Sequence, residues 1–170
     1  EVWVTNKNGD YNNPRNIVAF ADLAEQSHIS NNRWTSTGTA AIPVNNANNL
    51  YSEINSTYAG IRNIDQVNNL LNGNDNLYGG RDYEKLSSAR LLSSSEYTIN
   101  RALGFISLKT ALRADEVLAV AYEYTYGGQT YQVGEFSTDV KDSKSTLFLK
   151  LIKPNSNSPV NACWDLMMKN

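Results

Sequence analysis

The chain has 170 residues and a formal net charge of −2 at pH 7, from 15 Lys and Arg and 17 Asp and Glu residues. A chain of this length can bury a hydrophobic core without disulfide bonds or a structural metal. Its basic residues form no cluster that could follow a phosphate backbone, which argues against nucleic acid as a partner. The single cysteine, Cys163, excludes an internal disulfide and a zinc site built from cysteines.

The first half of the chain alternates short regular elements with long polar loops. Residues 1–5 alternate Val2 and Val4 against Trp3, which predicts a strand, whereas residues 17–24 fit either a strand or a short helix. Residues 31–49 are rich in Asn, Ser and Thr, whose side chains compete for backbone hydrogen bonds, and therefore read as a loop. After this loop, apolar residues at a spacing near 3.6 predict two short helices over residues 50–61 and 64–71, and Gly73 is placed to end the second.

The second half of the chain is predicted to consist mainly of β-strands. Of the 23 asparagines, 19 lie within residues 1–100 and none within 101–154, so the later stretch lacks the residue that favours loops. Alternating or β-branched segments predict strands at residues 83–92, 97–100, 104–108, 117–126, 129–136 and 146–152.

The clearest local feature is a hairpin turning at Gly127-Gly128, the sequence typical of a type I′ or II′ turn. This turn sets a register whose facing residues are expected to form one buried face, with Leu118 beyond them. The predicted pairs are Tyr126 with Gln129, Tyr124 with Tyr131, Tyr122 with Val133 and Val120 with Glu135.

Together these elements predict a β-rich α+β fold with an antiparallel, sandwich-like core, two short helices and long Asn-rich loops in the first half. We expect one domain over residues 1–153, with an irregular, helical half at 1–82 and a strand half at 83–153. Residues 154–170 read as a linker followed by a truncated C-terminal segment, and the abrupt ends suggest a piece of a longer protein.

No residue pattern indicates catalysis, a cofactor or a metal. His28 is the sole histidine, and its neighbours show neither nucleophile nor metal-ligand spacing. Cys163 is expected to act as a small buried hydrophobic residue. The tyrosines of the hairpin read as core residues, with a sugar-stacking platform as the alternative. The sequence therefore predicts no enzyme.

Several stretches resemble the SprA/Sov family, which are giant outer-membrane proteins of type IX secretion and gliding motility in Bacteroidetes. These stretches cover more than half of the chain. They are EVWVTN (1–6), RNIVAFADLAE (15–25), ARLLSSSEYTIN (89–100), LGFISLKTALRADEVLAVAYEYTYGGQTYQVGEFSTDV (103–140), TLFLKLIKP (146–154) and WDLMMKN (164–170).

The resemblance implies a non-catalytic domain excised from a translocon that carries folded proteins across the outer membrane. Its implied partners are the rest of the translocon polypeptide, secreted cargo proteins and accessory subunits of the secretion system. The implied location is the outer membrane, at the cell surface or on the periplasmic face. We expect the fragment itself to be soluble.

An apolar surface at Trp164, Leu166, Met167 and Met168 would suit a partner contact, because in such a parent the chain would continue there. The alternative function is a cell-surface module of sandwich fold that binds carbohydrate or protein. That alternative predicts exposed hairpin tyrosines, whereas burial of Tyr122, Tyr124 and Tyr131 would count against it.

Overall fold

The structure, a computed structural model, describes residues 1–9, 12–25, 42–74 and 77–167. Five of its strands form a barrel: β1 (Val2–Val4), β2 (Arg15–Phe20), β3 (Tyr83–Leu91), β6 (Leu118–Val120) and β9 (Leu147–Lys153). Two further pairs of strands are hairpins, β4 (Tyr97–Asn100) with β5 (Phe105–Leu108), and β7 (Tyr122–Tyr126) with β8 (Gln129–Val133). The helices are α1 (Leu50–Ser56) and α2 (Val67–Asn74), and 3₁₀ helices occupy Ala59–Arg62 and Trp164–Leu166.

The barrel closes in the order β1-β3-β2-β9-β6, with β6 pairing back to β1. Closure pairs Val2 with Val120, and the only parallel pair among these five strands, β2 with β9, aligns Ile17 with Leu147. A closed barrel leaves no strand edge unpaired. The β-rich α+β class is confirmed, but the expected sandwich is not, because these five strands close on themselves instead of forming two stacked sheets.

The barrel interior is filled by alternate residues of its five strands. On β2, Ile17 and Ala19 point inward, while Val18 and Phe20 point outward. Many inward positions carry alanine, which leaves room for the indole of Trp3. Cys163 is fully buried against this same cluster, and the half-buried Leu166 packs beside it. The segment after β9 therefore covers part of the barrel core.

Two layers cover the outside of the barrel. The helices pack over Val18, Phe20 and Phe148 through Leu50, Ile54 and other residues at helical spacing. The β4–β5 hairpin covers Val2, Val4, Leu118 and Val120 on β1 and β6. Both sides of these barrel strands are therefore buried, which explains why residues 118–120 show no alternation between buried and exposed positions.

Most predicted elements are found, with corrections at their ends. Residues 17–24, which fitted either a strand or a helix, contain most of β2. The helix α2 ends at Asn74, one residue beyond the predicted stop at Gly73. The predicted strand at residues 117–126 is two strands, because it breaks at Ala121 where the chain leaves the barrel. The loop prediction for residues 31–49 falls largely outside the described residues.

The hairpin register is confirmed at three of its four pairs, Tyr126 with Gln129, Tyr124 with Tyr131 and Tyr122 with Val133. The fourth pair is wrong, because Val120 pairs with Val2 and Lys150 in the barrel. Gly134 has a φ of +75°, and the chain beyond it turns toward β9, where the backbone N–H of Glu135 donates to the carbonyl of Phe148 at 2.9 Å.

Candidate functional site

The β7–β8 hairpin carries four tyrosines on one face, and we call this set the tyrosine ladder: Tyr122, Tyr124, Tyr126 and Tyr131. The rings of Tyr124 and Tyr131 stack across the strands with centroids 5.5 Å apart and planes 27° apart. The rings of Tyr122 and Tyr124 follow at 6.0 Å and 33°. The turn that brings the two strands together has positive φ at both Gly127 and Gly128, as a type I′ turn requires.

The two central rings of the ladder are held by hydrogen bonds. The hydroxyl of Tyr124 donates to the carbonyl of Pro43 at 2.6 Å, and the hydroxyl of Tyr131 donates to Oε1 of Gln129 at 2.8 Å. The base of β8 is fixed by Asn45, whose Oδ1 accepts from the backbone N–H of Gly134 at 2.7 Å and whose own N–H donates to the carbonyl of Gln132. The ladder is therefore anchored to the segment at residues 43–45.

The expected burial of these tyrosines is wrong. Tyr126 is 64% exposed and Tyr122 is 37% exposed, while Tyr124 and Tyr131 are half-buried. Burial of the rest of Tyr122, with the carboxylate of Glu25 adding to it, raises the pKa of its hydroxyl to about 12. The register prediction placed the tyrosines on one face correctly, but the hairpin extends beyond the barrel strands that would have covered that face.

The β4–β5 hairpin presents a second exposed surface at its turn. Its base packs on the barrel through Tyr97, Ile106 and Leu108. At its end, Ile99 is 54% exposed and Leu103 is 74% exposed. The hairpin thus buries one end of its apolar face and shows the other end to its surroundings.

The tail residues predicted to contact a partner are partly buried within the fold. Trp164 and Leu166 lie in the 3₁₀ helix, Met167 follows it, and all three are half-buried. Met168 lies outside the described residues. Of these three residues, Leu166 packs against the barrel-core cluster that contains Cys163. Contact of Trp164, Leu166 and Met167 with a partner stays a prediction.

A set of buried polar contacts centred on Glu135 joins the helical layer to the barrel. Glu135 is 3% exposed, and its carboxylate receives two hydrogen bonds from the guanidinium of Arg62, each 2.7 Å long. It also accepts from the hydroxyl of Tyr51 at 2.8 Å and from the backbone N–H of Phe148 at 2.9 Å. Burial, followed by the charge of Glu135, raises the pKa of Tyr51 to about 12, so this hydroxyl stays a donor.

Other buried charges also hold loops and strands together. The guanidinium of Arg15 donates to the carbonyls of Ser137 and Val140, both at 3.0 Å, and so ties the loop before β9 to β2. The ammonium of Lys150 donates to the carbonyl of Ala21 and pairs with Glu25. The contacts of Glu135, Arg15 and Lys150 are those of structural groups, and sequence reasoning found none of them because each joins residues far apart in the chain.

Metal-binding potential is low in the described parts of the chain. They contain no group of three or more His, Cys, Asp or Glu side chains that could hold a metal ion. His28 lies outside them.

Cys163 is fully buried, as its interpretation as a small hydrophobic residue predicts, and burial raises the pKa of its thiol to about 11. No helix within residues 1–9, 12–25, 42–74 and 77–167 has the length and apolar character to cross a membrane.

The comparisons with known proteins identify no family. Neither a protein-family model nor a curated protein matches this chain. Its candidate sites are therefore defined by geometry alone, and the two best formed are the tyrosine ladder and the exposed end of the β4–β5 hairpin.

Proposed function

We propose that this chain is a non-catalytic contact domain of an outer-membrane protein-secretion translocon of the SprA/Sov kind. The observation that carries the contact role is the exposed apolar end of the β4–β5 hairpin, where Leu103 is 74% and Ile99 is 54% exposed. Large apolar side chains that are exposed at one end of a hairpin support a site of protein contact. The translocon assignment rests on the sequence resemblance, and the partners it implies are the remaining translocon polypeptide, secreted cargo and accessory subunits.

A charge at this turn in the full-length parent protein tests the proposal. Leu103→Asp should reduce secretion of type IX cargo and gliding, because a carboxylate would have to be desolvated in any apolar contact. Arg101→Asp, at a neighbouring exposed polar position, is the matched control and should secrete nearly as the parent does. The amount of full-length protein in the outer membrane must stay unchanged. Normal secretion and gliding with Leu103→Asp would refute the contact role.

The location of the domain needs a separate measurement. An epitope tag between Asn72 and Gly80 of the full-length protein should react with antibody either on intact cells or only after permeabilisation. The first result would place the domain at the cell surface, and the second would place it on the periplasmic face. Recovery of the tag away from the outer membrane would contradict the translocon proposal.

A second candidate is a cell-surface module that binds carbohydrate or protein. The specific observation in its favour is the exposure of Tyr122 and Tyr126, because large aromatic side chains left open to solvent on a rigid hairpin are typical of binding surfaces.

A further inference from the structure

We propose that the tyrosine ladder, formed by Tyr122, Tyr124, Tyr126 and Tyr131, is a binding platform for a neutral oligosaccharide of pyranose rings. This inference deepens the second candidate function and rests on it. It is independent of the translocon proposal, since a domain of either kind could carry such a platform.

The first argument is the shape and order of the platform. Three of the four rings form a continuous series with centroid separations of 5.5 and 6.0 Å and small angles between their planes. Tyr126 continues the same face of β7 toward the turn, two residues beyond Tyr124. An extended row of aromatic rings matches a ligand that repeats along its length, as a chain of sugar rings does.

The second argument is the charge of this face. Its six positions carry the four tyrosines, Gln129 and Val133, with no ionisable side chain other than the phenols. The one acidic residue on these two strands, Glu123, points to the opposite face. The nearby carboxylate of Glu25 is paired with the ammonium of Lys150. A phosphorylated or sulfated ligand would need Arg or Lys side chains here, so the face favours a neutral ligand.

The third argument is chemical complementarity. The rings of Tyr124 and Tyr131 are stacked on each other, so the ring faces left for a ligand are mainly those of the more exposed Tyr122 and Tyr126. The negative face of an aromatic ring attracts the slightly positive C–H groups on one side of a pyranose ring. Phenol hydroxyls and the side-chain amide of Gln129 can exchange hydrogen bonds with sugar hydroxyls at the edge. A tyrosine phenol is protonated at neutral pH even at its ordinary pKa of 10, and burial raises the pKa of Tyr122 further, to about 12, so this hydroxyl can act as a donor.

The fourth argument is that the central rings are already fixed. The hydrogen bonds from Tyr124 to Pro43 and from Tyr131 to Gln129 hold these side chains before any ligand arrives. A platform that is ordered in advance loses less conformational entropy on binding. Tyr122 and Tyr126, the more exposed members, remain to contact the ligand.

The test uses the 170-residue chain with three probes at millimolar concentration: cellohexaose, maltohexaose and chitohexaose. Saturation-transfer difference NMR reports which sugar protons lie against the protein, and tyrosine-ring chemical shifts report which residues respond. We expect at least one hexasaccharide to bind through its ring C–H protons. Tyr126→Ala should weaken that binding by about tenfold, the usual effect of removing one stacking ring.

Two further variants separate stacking from other effects. Tyr126→Phe keeps the ring and should bind nearly as the parent does. Tyr78→Ala removes a tyrosine that is 46% exposed elsewhere on the surface and should leave binding unchanged. Because Tyr126 is itself 64% exposed, its replacement should preserve the fold, which circular dichroism checks.

Three results would overturn the inference. One is that none of the three hexasaccharides binds. Another is that Tyr126→Ala binds as tightly as the parent chain. The last is that a proline decapeptide binds with the same dependence on Tyr126 while the sugars do not, which would make the ladder a site for a polyproline helix. None of these results bears on the secretion phenotype of Leu103→Asp.

Discussion

Gly134 shows, at the scale of single residues, how one backbone angle decides where a strand ends. Its φ of +75° lies in the left-handed region, and an added Cβ would come within 3.0 Å of the carbonyl oxygen of Val120 and 3.1 Å of Ala121. These neighbours are mostly backbone, so they cannot turn aside. The sequence offered no sign of this, since a glycine in a predicted strand is compatible with several conformations.

Gly134→Ala should therefore lower the free energy of unfolding by about 1–3 kcal/mol, the usual cost of a side chain held in a sparsely populated backbone conformation. Gly73→Ala is the matched control, because its Cβ would meet nothing within 4 Å in α2. That change should stabilise the chain by about 0.5–1 kcal/mol. Urea denaturation followed by circular dichroism measures both, and equal stability of the two variants would contradict the account.

Glu84 is buried and Glu96 is partly exposed, and we expect the two side chains to make stability depend on pH in opposite directions. Burial raises the pKa of Glu84 above its usual 4.5, despite the backbone N–H of Asn155 and the charge of Lys153. Its ionisation therefore costs stability as pH rises from 4.5 through the folded-state pKa. The backbone N–H of Ser93, then the guanidinium of Arg90, lower the pKa of Glu96, so its stabilisation is present above pH 4.5 and is lost as pH falls.

Replacing each glutamate by glutamine should reveal these signs. Relative to the parent chain, Glu84→Gln should gain stability as pH rises from about 4 to 7, whereas Glu96→Gln should lose stability over the same range. Urea midpoints measured at several pH values give the comparison. Parallel profiles for the two variants would show that burial of Glu84 does not control its titration.

At the scale of elements, the ion pair between Arg62 and Glu135 joins the helical layer to the barrel. The guanidinium meets the carboxylate through two bonds of 2.7 Å and also lies 3.7 Å above the ring of Phe148. Removing the arginine would leave the buried carboxylate with only neutral donors. Uncompensated charges of this kind are costly, because the protein must still desolvate them.

Arg62→Ala should thus lower the free energy of unfolding by about 3 kcal/mol. Arg90→Ala is a suitable comparison, since the pair of Arg90 with Glu96 is more open to solvent and should contribute about 1 kcal/mol or less. Thermal and urea denaturation give both values. A loss from Arg62→Ala no larger than that from Arg90→Ala would mean that the helical layer is held by apolar packing alone.

The elements also show what a sequence can reveal. A tight turn of type I′ or II′ at Gly127-Gly128 and three of the four hairpin pairs were predictable, because turn chemistry and alternation act over neighbouring residues. Barrel closure was not, since the pairing of Val2 with Val120 joins residues that carry no mark of their partner. The hairpin extends beyond the closed barrel, so three correct pairs still gave a wrong burial for Tyr122 and Tyr126.

For the whole molecule, Cys163 connects the chain after β9 to the barrel core. It is fully buried, and its thiol donates to the carbonyl of Leu151 at 3.5 Å. The thiolate form of cysteine attacks the disulfide of reagents such as 5,5′-dithiobis(2-nitrobenzoic acid), and burial disfavours this thiolate by raising the pKa of Cys163 to about 11. Labelling of the native protein therefore requires an opening that exposes Cys163, and the labelling rate reports the free energy of that opening.

We expect the segment carrying Cys163 to open without unfolding of the barrel, because Leu166, which packs beside Cys163, is only half-buried whereas Leu147 and Leu149 on β9 are fully buried. Leu166→Ala should then speed labelling far more than its effect on the urea midpoint accounts for. Gly134→Ala, which weakens the barrel instead, should speed labelling only as much as its loss of global stability requires. If both variants showed labelling rates set by their global stabilities, the 3₁₀ helix and the barrel would unfold as one unit, and the cover over the barrel core would be as stable as the core itself.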